Sequence, residues 1–356
     1  MKKILTIAGT RPQLVKIAAV SRVLRQSFHE VLLNTGQHYD YKMAGVFFEE
    51  LKIPKPDYNL KIGSDTHGRQ TGKMLIAVEE VVEKEQPDAI LVFGDTNSTL
   101  AGAIVASKLH IPLIHIEAGL RSFNKLMPEE INRIMTDHIS NLLFTPTELA
   151  VQNLKNEGIT NGVFLVGDVM YDAVLYNMGL AEQQYKITDF NLTSKKYFLG
   201  TIHRAENTDS KEKLEAIFKS LINLDQVVYL PLHPRTKHKI EQFGLQDIVE
   251  QAKNIKVVEP VSYLEMLFLE KHAKAIITDS GGVQKEAYFM KVPCITLRDQ
   301  TEWVETIEFG WNKLINPLKT DLSQVLREVQ NGQPIDSIYG NGDAAHKITN
   351  LLMQKI

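Results

Sequence analysis

The sequence predicts an α/β protein made of two doubly wound, Rossmann-like domains that face each other across a cleft. Short apolar runs alternate with helical patterns along the chain, which is typical of parallel sheets covered by helices. The composition changes after Gly167 and the alternation then restarts, and 356 residues are too many for one typical core. We therefore expect a first domain over residues 1–167, a second over residues 168–340, and a terminal helix within residues 341–356 that packs back on the first domain.

Composition and charge limit the function classes. A hydrophobic fraction of 44%, a charged fraction of 23% and a net charge of −3 are ordinary for a globular enzyme and argue against a nucleic-acid binder driven by overall charge. The first apolar run, Ile4–Ala8, is too short for a signal peptide or a membrane span and predicts a strand. The single cysteine, Cys294, fits a reducing cytoplasm.

The first half of the chain supplies the strands of the first predicted domain. Helical patterns separate these apolar runs, so we expect the strands to lie parallel. The carboxyl ends of parallel strands share one edge of the sheet, and ligand-binding residues are expected there. The runs are Ile4–Ala8, Val31–Asn34, Ala89–Phe93, Ile111–Ile116, Asn141–Phe144 and Val163–Val166.

Three acidic residues come at or after the strand ends at this edge, and they are the main indication of function. Asp95 comes after the strand Ala89–Phe93, Glu117 ends the next strand, and Glu129 lies in the first turn of the helix after it. The topology predicts that the three carboxylates converge on one crevice.

Each carboxylate also has a structural interpretation. Asp95 precedes polar residues and is suited to cap a helix, whereas Glu129 fits the acidic first turn that helices favour. Burying Glu117 is costly without partners, and Arg121 or Arg133 would supply them in an ion-pair network.

The turn after Ile4–Ala8 combines a glycine, a helix start and two cations. Gly9 allows a close approach of the backbone, and the helix N-terminus offers unpaired N–H groups to an anion. Arg11 and Lys16 add positive charge, although the spaced glycines of a dinucleotide-binding turn are absent. The alternative is a turn with two solvated cations.

The second predicted domain repeats the pattern and is expected to have its own binding edge. Residues 182–196 are polar and irregular, which is typical of a passage between domains. The runs that predict its strands are Tyr197–Ile202, Val227–Leu232, Ile255–Glu259 and Ala275–Thr278.

The strongest binding motif of the second domain follows its last run. Ser280, Gly281 and Gly282 join a strand to a helix and would present backbone N–H groups to an anion such as a diphosphate. Glu286 lies about one turn further along, where its carboxylate is suited to bind ribose hydroxyls. The alternative is a glycine-assisted turn that binds no ligand.

Two histidines, His203 and His233, also follow apolar runs. Either one alone is compatible with an ordinary histidine at the edge of a core, but Arg204 and Arg235 beside them favour a role facing a phosphate. The sequence has no HExxH motif and no Cys/His cluster with metal-ligand spacing, so no metal is expected.

Six short motifs form a set that points to one family. They are Gly9-Thr10-Arg11-Pro12, Gly94-Asp95-Thr96, Glu117-Ala118-Gly119-Leu120-Arg121, Pro128-Glu129-Glu130-Ile131-Asn132-Arg133, Asp279-Ser280-Gly281-Gly282 and Thr301-Glu302. In this order the chain resembles the non-hydrolysing UDP-N-acetylglucosamine 2-epimerases. The resemblance implies the two-domain GT-B fold, a homodimer, a UDP-sugar substrate, and neither a metal nor a redox cofactor.

The resemblance also implies the reaction, which inverts carbon 2 of a UDP-linked 2-acetamido sugar. The proton on that carbon is poorly acidic, so the family first eliminates UDP to give a bound glycal. UDP is added back after the proton returns to the opposite face. Such chemistry needs carboxylates near the sugar ring, and cations or N–H donors for the departing diphosphate.

The family pattern implies a role for each matching residue. Asp95, Glu117 and Glu129 would be the acid–base and charge-stabilising carboxylates, and Arg133 would orient them. His203 would assist the departure of the diphosphate. The residues implied to hold UDP are Arg11, Lys16, His233, Ser280, Gly281, Gly282 and Glu286.

Two segments depart from the usual family pattern: Gln13, where many members have Glu, and Trp303-Val304-Glu305, where they have Arg-Pro-Glu. Together with Thr301-Glu302 and Ser122-Phe123-Asn124, they look like the branch that acts on UDP-2,3-diacetamido-2,3-dideoxy-glucuronic acid. We expect a cytoplasmic enzyme that interconverts UDP-N-acetylglucosamine and UDP-N-acetylmannosamine for surface polysaccharide, without a nucleic-acid or membrane partner. The alternatives are the same epimerisation on the diacetamido sugar, a glycosyltransferase, a hydrolysing epimerase and a nucleotide-sugar sensor.

Overall fold

The chain divides into two compact units. The structure is a computed structural model that describes residues 1–37, 51–301, 303–328, 332 and 338–356. Unit 1 comprises Met1–Tyr176 together with Asp336–Ile356, and unit 2 comprises Asn177–Ile335.

Seven strands form a parallel sheet in the described part of unit 1. In chain order they are β1 (Lys3–Ala8), β2 (His29–Asn34), β3 (Tyr58–Asn59), β4 (Ala89–Phe93), β5 (Leu113–Ile116), β6 (Leu142–Thr145) and β7 (Val163–Leu165). Their order across the sheet is β3-β2-β1-β4-β5-β6-β7. Every residue of β4 is buried, because helices cover both faces of such a sheet.

Helices follow most of these strands. Apolar residues of β1 and β4, such as Leu5 and Val92, share a core with Val78 and Ala103 on the covering helices. In chain order the helices are α1 (Arg11–Leu24), α2 (His67–Glu85), α3 (Asn97–Lys108), α4 (Pro128–Ile139), α5 (Glu148–Asn156) and α6 (Val169–Gln184).

Unit 2 contains a second parallel sheet, with six strands among its described residues. Its strands are β8 (Tyr197–Thr201), β9 (Val227–Pro231), β10 (Ile255–Val258), β11 (Ala275–Thr278), β12 (Cys294–Thr296) and β13 (Asn312–Leu314). They are ordered β10-β9-β8-β11-β12-β13.

The helices of unit 2 lie between these strands. Residues such as Phe218 and Leu221 pack with Val228 and Ile277 in the core of the unit. The helices are α7 (Ala205–Thr208), α8 (Lys211–Ile222), α9 (Pro234–Phe243), α10 (Gln246–Glu250), α11 (Tyr263–His272), α12 (Gly281–Phe289), α13 (Val304–Glu308) and α14 (Leu322–Glu328).

The strand order reverses once in each sheet, between β1 and β4 in unit 1 and between β8 and β11 in unit 2. In open α/β sheets, ligands bind beside the carboxyl ends of the strands at such a switch point. The loops at the first switch point begin with Gly9 and Gly94, and those at the second contain His203 and Ser280. Both units therefore place residues of the expected motifs where this fold binds ligands.

The division between the units differs from the expected boundary after Gly167. It lies inside α6, which continues without interruption from unit 1 into unit 2. Residues 182–196, the expected passage between domains, belong to unit 2 and include a 3-10 turn at Ile187–Phe190. The terminal helix α15 (Ala344–Lys355) belongs to unit 1, where it packs against α1.

No helix in the described ranges is long and apolar enough to cross a membrane.

Candidate active site

Lys16 and Glu117 form an ion pair at the switch point of unit 1. Lys16 lies on α1, and Glu117 directly follows β5 with its Oε2 bonded to the Lys16 amine. Only 15% and 5% of the two side chains are exposed. Burial lowers the pKa of Lys16, but the nearby carboxylates, Glu117 first among them, together outweigh burial and raise the pKa overall. The pair therefore keeps a positive and a negative charge side by side, largely out of water.

The backbone at Glu117 is strained. Its φ is +69°, in the left-handed region that a non-glycine residue occupies at a cost of about 1–3 kcal/mol, and such residues cluster at functional sites. Gly94 faces it with a φ of +61°, and a Cβ on Gly94 would lie 3.2 Å from Glu117 Oε2. A side chain at position 94 would therefore crowd the carboxylate.

Asp95 pairs with Arg133 rather than capping a helix. Arg133 NH2 lies 2.5 Å from Asp95 Oδ2, and its NH1 lies 2.9 Å from Glu130 Oε2. The cap of α3 is Thr96, whose hydroxyl accepts the N–H of Thr99 at 3.3 Å. The interpretation of Asp95 as a helix cap is therefore wrong. Its side chain remains 31% exposed beside a fixed guanidinium.

The two glutamates that open α4 have different surroundings. Glu130 is buried, and its carboxylate accepts the N–H groups of Ser122 at 2.8 Å and Phe123 at 2.9 Å. Burial raises the pKa of Glu130, but these N–H groups and Arg133 outweigh burial and lower the pKa overall. Glu129 is exposed, and its side chain makes no hydrogen bond or ion pair within the described residues. Glu130 thus holds the loop before α4, whereas the Glu129 carboxylate is open to a ligand.

Asp168 is a site residue that the sequence reasoning did not single out. It is buried, and its charge acts on Lys16 together with that of Asp95, so that both raise the pKa of Lys16 beyond the effects of burial and of Glu117. The signal that would have found it is its place after β7 and Gly167, at the same edge of the sheet. The Lys16 amine therefore lies in the field of three carboxylates.

Arg121 does not bind Glu117, contrary to the ion-pair network considered from the sequence. Its NH1 lies 2.7 Å from Asp137 Oδ2, and its Nε and NH2 lie 2.7 and 2.8 Å from the two oxygens of Glu157. The partner of Glu117 is Lys16 instead. The Arg121 guanidinium is thus fully occupied in a structural network.

A buried histidine connects that network to the loop after β4. His115 on β5 has its Nδ1 2.7 Å from Asp137 Oδ1 and its Nε2 2.8 Å from the carbonyl oxygen of Gly94. The second oxygen of Asp137 also accepts the N–H of Gly119 at 3.1 Å. The loops after β4 and β5 are therefore held to each other through one imidazole and one carboxylate.

Gln13 joins the two loops of the switch point. Its Oε1 accepts the N–H of Gly9 at 2.9 Å, while its Nε2 donates to the carbonyl oxygen of Phe93 at 2.8 Å. The same Nε2 lies 3.0 Å from the hydroxyls of Thr96 and Thr99. Because Nε2 donates to the Phe93 carbonyl oxygen, which an ionised carboxylate cannot do, an amide suits this position.

Asp279 organises the switch point of unit 2. Its buried carboxylate accepts the N–H of His203 at 3.0 Å, the N–H of Arg204 at 3.0 Å and the side-chain amide of Asn207 at 3.1 Å. His203 Nδ1 lies 3.5 Å from the same carboxylate. The acidic residue of this motif is therefore structural, and it fixes the loop that carries His203.

His233 caps α9 and lies next to His203. Its Nδ1 accepts the N–H of Arg235 at 3.1 Å, and the two imidazole centroids are 5.3 Å apart. Burial, followed by repulsion from His203, lowers the pKa of His233. A neutral ring with Nδ1 as acceptor carries its hydrogen on Nε2, where it is suited to donate to a phosphate. Arg235, the neighbouring cation noted in the sequence, pairs with Asp209 Oδ2 at 2.6 Å.

The glycine turn of unit 2 leaves the start of α12 open. Ser280 is the N-cap, and its side chain makes no capping bond in the described part of the chain. A Cβ on Gly282 would meet none of the described atoms within 4 Å, so this turn has room for a ligand. One turn further along α12, Glu286 is buried and accepts the Tyr263 hydroxyl at 3.0 Å.

The side chain of one expected site residue, Arg11, lies outside what the structure describes, although its backbone begins α1. Its role stays a prediction. Glu302 of the Thr301-Glu302 motif also lies outside the described residues. Within the described ranges, no group of three His, Cys, Asp or Glu side chains is placed to hold a metal ion.

Comparison with known proteins gives matches over nearly the whole chain. A family model described as UDP-N-acetylglucosamine 2-epimerase matches residues 22–353. A Methanococcus maripaludis protein named UDP-N-acetylglucosamine 2-epimerase homolog is 53% identical, over 98% of this chain and 99% of its own. The UDP-2,3-diacetamido-2,3-dideoxy-D-glucuronate 2-epimerase of Pseudomonas aeruginosa is 48% identical, over 98% of this chain and 99% of its own. The crystal structure of Methanocaldococcus jannaschii UDP-GlcNAc 2-epimerase in complex with UDP-GlcNAc and UDP is 48% identical with a TM-score of 0.86, over 99% of this chain and 100% of that chain.

The protein is thus an isomerase built from two Rossmann-like domains of the GT-B class. A family match over most of the chain, with relatives near 50% identity, shows the particular family as well. The chain belongs to the UDP-N-acetylglucosamine 2-epimerase family. The family and the fold class predicted from the motifs are both confirmed.

Proposed function

We propose that this enzyme interconverts UDP-N-acetylglucosamine and UDP-N-acetylmannosamine without hydrolysing either, and that it supplies precursors of surface polysaccharide. The observation that carries the proposal is the pairing of two carboxylates with two cations at one switch point, Glu117 with Lys16 and Asp95 with Arg133. A third carboxylate, Glu129, is exposed at the start of α4.

The reaction requires a proton to leave carbon 2 and to return on the other face. In the first half, a carboxylate takes the proton, the carbon 2 electrons form a double bond to carbon 1, and the bond from carbon 1 to the UDP oxygen breaks. In the second half, a protonated carboxylic acid delivers a proton to the opposite face of carbon 2 while the UDP oxygen bonds carbon 1 again. UDP is neither consumed nor released. The carboxylic acid formed in the first half loses its proton to water and the carboxylate left by the second half regains one from water, so atoms and charge balance over the cycle.

The residues of unit 1 fit both halves of this cycle. Asp95, Glu117 and Glu129 would exchange protons with the sugar and stabilise positive charge on the ring. Lys16 pairs with Glu117 and Arg133 pairs with Asp95, so each of these two carboxylates has a cation beside it.

The residues of unit 2 fit the leaving diphosphate. Backbone N–H groups of Gly281 and Gly282 and the Nε2 hydrogen of His233 are donors for phosphate oxygens. Ser280 adds a hydroxyl, and Glu286 is suited to ribose hydroxyls. The remaining members of the proposed set, His203 for diphosphate departure and Arg11 for UDP binding, follow the family pattern.

The second candidate is the same inversion on UDP-2,3-diacetamido-2,3-dideoxy-glucuronic acid. It is favoured by the similarity of the P. aeruginosa enzyme, at 48% identity, and by the amide network around Gln13. Both candidates use the same chemistry at carbon 2, so they differ in substrate alone.

The test is proton NMR of the purified enzyme with UDP-N-acetylglucosamine in deuterated water. We expect deuterium at carbon 2 and UDP-N-acetylmannosamine as product, with no accumulation of free sugar. If no exchange occurs, the diacetamido-uronic acid nucleotide is tested next, and exchange there selects the second candidate. Absence of deuterium exchange with both nucleotides would reject the epimerase proposal. Release of free N-acetylmannosamine would indicate a hydrolysing enzyme.

Substitution tests the three carboxylates separately. Asp95→Asn, Glu117→Gln and Glu129→Gln should each lower kcat by about 100- to 10,000-fold, since each removes a proton-transfer group. Glu148→Gln, an exposed change on α5, is the matched control and should keep full turnover. Any of the three variants that retains full turnover removes its residue from the mechanism.

We also propose that the enzyme is a cytoplasmic homodimer. The location is supported by a single, buried cysteine. The homodimer is supported by the resemblance to the family and by an exposed apolar face on α4, to which Ile131 and Met135 contribute with 45% and 42% exposure.

A further inference from the structure

His115 lies outside the proposed set of substrate-binding residues, yet it is fully buried within β5. Both of its ring nitrogens face acceptors. Nε2 is 2.8 Å from the carbonyl oxygen of Gly94, and Nδ1 is 2.7 Å from Asp137 Oδ1. Because a carbonyl oxygen only accepts hydrogen bonds, Nε2 carries a hydrogen.

The Asp137 carboxylate requires a hydrogen on Nδ1 as well. Its second oxygen accepts the Arg121 guanidinium at 2.7 Å and the Gly119 N–H at 3.1 Å, which is the environment of an ionised carboxylate. Both nitrogens of His115 are therefore protonated, and the ring is an imidazolium. With Arg121 and Glu157 it forms a neutral group of two cations and two anions, which offsets the penalty of burying each charge.

This imidazolium fixes Gly94 from one side. The N–H of Gly94 donates to the Ile116 carbonyl at 3.0 Å, while its own carbonyl accepts from His115, so both of its backbone groups are bonded to β5. Asp95 is the next residue in the chain. A Cβ built on Gly94 would lie 3.2 Å from Glu117 Oε2, so Gly94 lies beside one carboxylate and directly precedes the other in the chain.

We propose that His115 is a positioning residue, kept as a buried imidazolium, that fixes the backbone of the loops carrying Asp95 and Glu117. The proposal rests on the proposed function, in which a carboxylate takes up a proton. A protonated carboxyl loses most of its attraction to Lys16 or Arg133, so the ion pair no longer defines its position. The hydrogen bonds of His115 go to the backbone and to a different carboxylate, and they persist through the proton transfer.

Two substitutions separate the hydrogen bonds of His115. The side-chain nitrogen of Gln reaches the place of Nε2 and keeps the donor to Gly94, whereas that of Asn reaches the place of Nδ1 and keeps the donor to Asp137. We expect His115→Asn to lower kcat about 100-fold with KM changed less than about threefold, because a displaced catalytic group affects the chemical step. His115→Gln should have a kcat about tenfold higher than that of His115→Asn, because it keeps the hydrogen bond to Gly94.

Thr6→Val is the matched control for general destabilisation. It removes another buried hydrogen bond of the same sheet, from Thr6 to Glu30 at 2.8 Å, away from the two loops. It should lower stability and leave kcat per folded enzyme unchanged. The proposal is overturned if both His115 variants keep wild-type kcat, if the loss lies in KM, or if His115→Asn is at least as active as His115→Gln.

Nitrogen NMR of protein labelled at its histidine side chains tests the protonation state without any substrate. The His115 resonances are assigned by their loss in His115→Gln, and at neutral pH both nitrogens should carry hydrogen. If the His115 ring is neutral in an enzyme that epimerises a sugar nucleotide, the positioning proposal is rejected and the proposed function stands. A wild-type protein that epimerises neither sugar nucleotide rejects the proposed function, whatever the state of His115.

Discussion

Glu270 carries a carboxyl group that no hydrogen bond satisfies in the described part of the chain. It lies on α11, fully buried, and both of its oxygens lack a partner. Burial, and then the charge of Glu286, raise the pKa of Glu270 well above its usual value. The native carboxyl therefore stays protonated in a pH range where the unfolded one ionises. The contribution of Glu270 to the free energy of unfolding is therefore complete below the pKa of this group in the unfolded state. It is lost as pH rises toward the pKa of the group in the native state.

Glu270→Gln should flatten this pH dependence, because an amide does not titrate. Trp303 and Trp311 are the two tryptophans of the chain and both lie in unit 2, so denaturant unfolding followed by tryptophan fluorescence reports this unit. As pH rises, the denaturant concentration at the midpoint of unfolding should fall for the wild type relative to that of Glu270→Gln. The buried amide adds a pH-independent loss of about 1–3 kcal/mol, so the slope and not the absolute stability is the test.

Glu250→Gln is the control for the Glu270 experiment. Glu250 is exposed on α10, and its substitution should give a pH profile parallel to that of the wild type. A parallel profile for Glu270→Gln as well would mean that the buried carboxyl does not cause the pH dependence.

The sequence predicted where the residues of the site lie better than it predicted their partners. Asp95 and Glu117 were found because the ends of parallel strands share an edge. Their partners come from other elements: Lys16 is 101 residues from Glu117 along the chain, and Arg133 is 38 residues from Asp95. No local pattern encodes such pairs, so the sequence left the partner of Glu117 open.

At the scale of elements, the first turn of α4 contains two adjacent glutamates whose roles should separate on substitution. Glu130→Gln should lower the free energy of unfolding by about 1–3 kcal/mol, because the carboxylate that accepts the N–H groups of Ser122 and Phe123 is lost. Glu129→Gln should change it by less than about 0.5 kcal/mol, since Glu129 is exposed. Unfolding followed by circular dichroism measures both, and equal stabilities would contradict the assignment.

Glu129→Gln, the milder of the two substitutions for stability, should be the one that affects turnover. Glu129→Gln should reduce kcat although the protein stays as stable as the wild type. The amino-acid pattern does not distinguish these neighbours, because both suit the first turn of a helix. Their difference arises from the helix period, which directs one side chain to the preceding loop and the other to solvent.

Strands were predictable in proportion to their burial and length. The predicted runs Ala89–Phe93 and Ala275–Thr278 coincide with β4 and β11, since strands buried on both faces are continuously apolar. By contrast, β3 spans only Tyr58–Asn59 and β13 spans Asn312–Leu314, and such short mixed segments carry no periodic signal.

At the scale of the whole molecule, the repeat of the α/β pattern predicted two domains, but not where the chain passes between them. Composition marks a boundary when the connection is irregular. Here the division lies between Tyr176 and Asn177 within one helix, so the periodic pattern continues through it. The polar residues 182–196 came after the division and belong to unit 2.

The proposed homodimer gives the last prediction. Met127, the N-cap of α4, and Ile131 and Met135 within the helix occur four residues apart, which places them along one side of α4, with 38%, 45% and 42% exposure. A symmetric dimer brings the same patch of both subunits together, so each charge introduced there meets its own copy. Ile131→Glu combined with Met135→Glu should therefore give monomers, whereas wild type should have twice the mass of the chain in light scattering.

Met353→Glu is the matched control for the dimer. Met353 is 53% exposed on α15, a different helix of unit 1 that packs against α1, and its substitution should leave the dimer intact. Dissociation in both variants would mean that added negative charge, and not its position, separates the subunits. A dimeric α4 variant would exclude this face as the contact, and a monomeric wild type would exclude the homodimer itself.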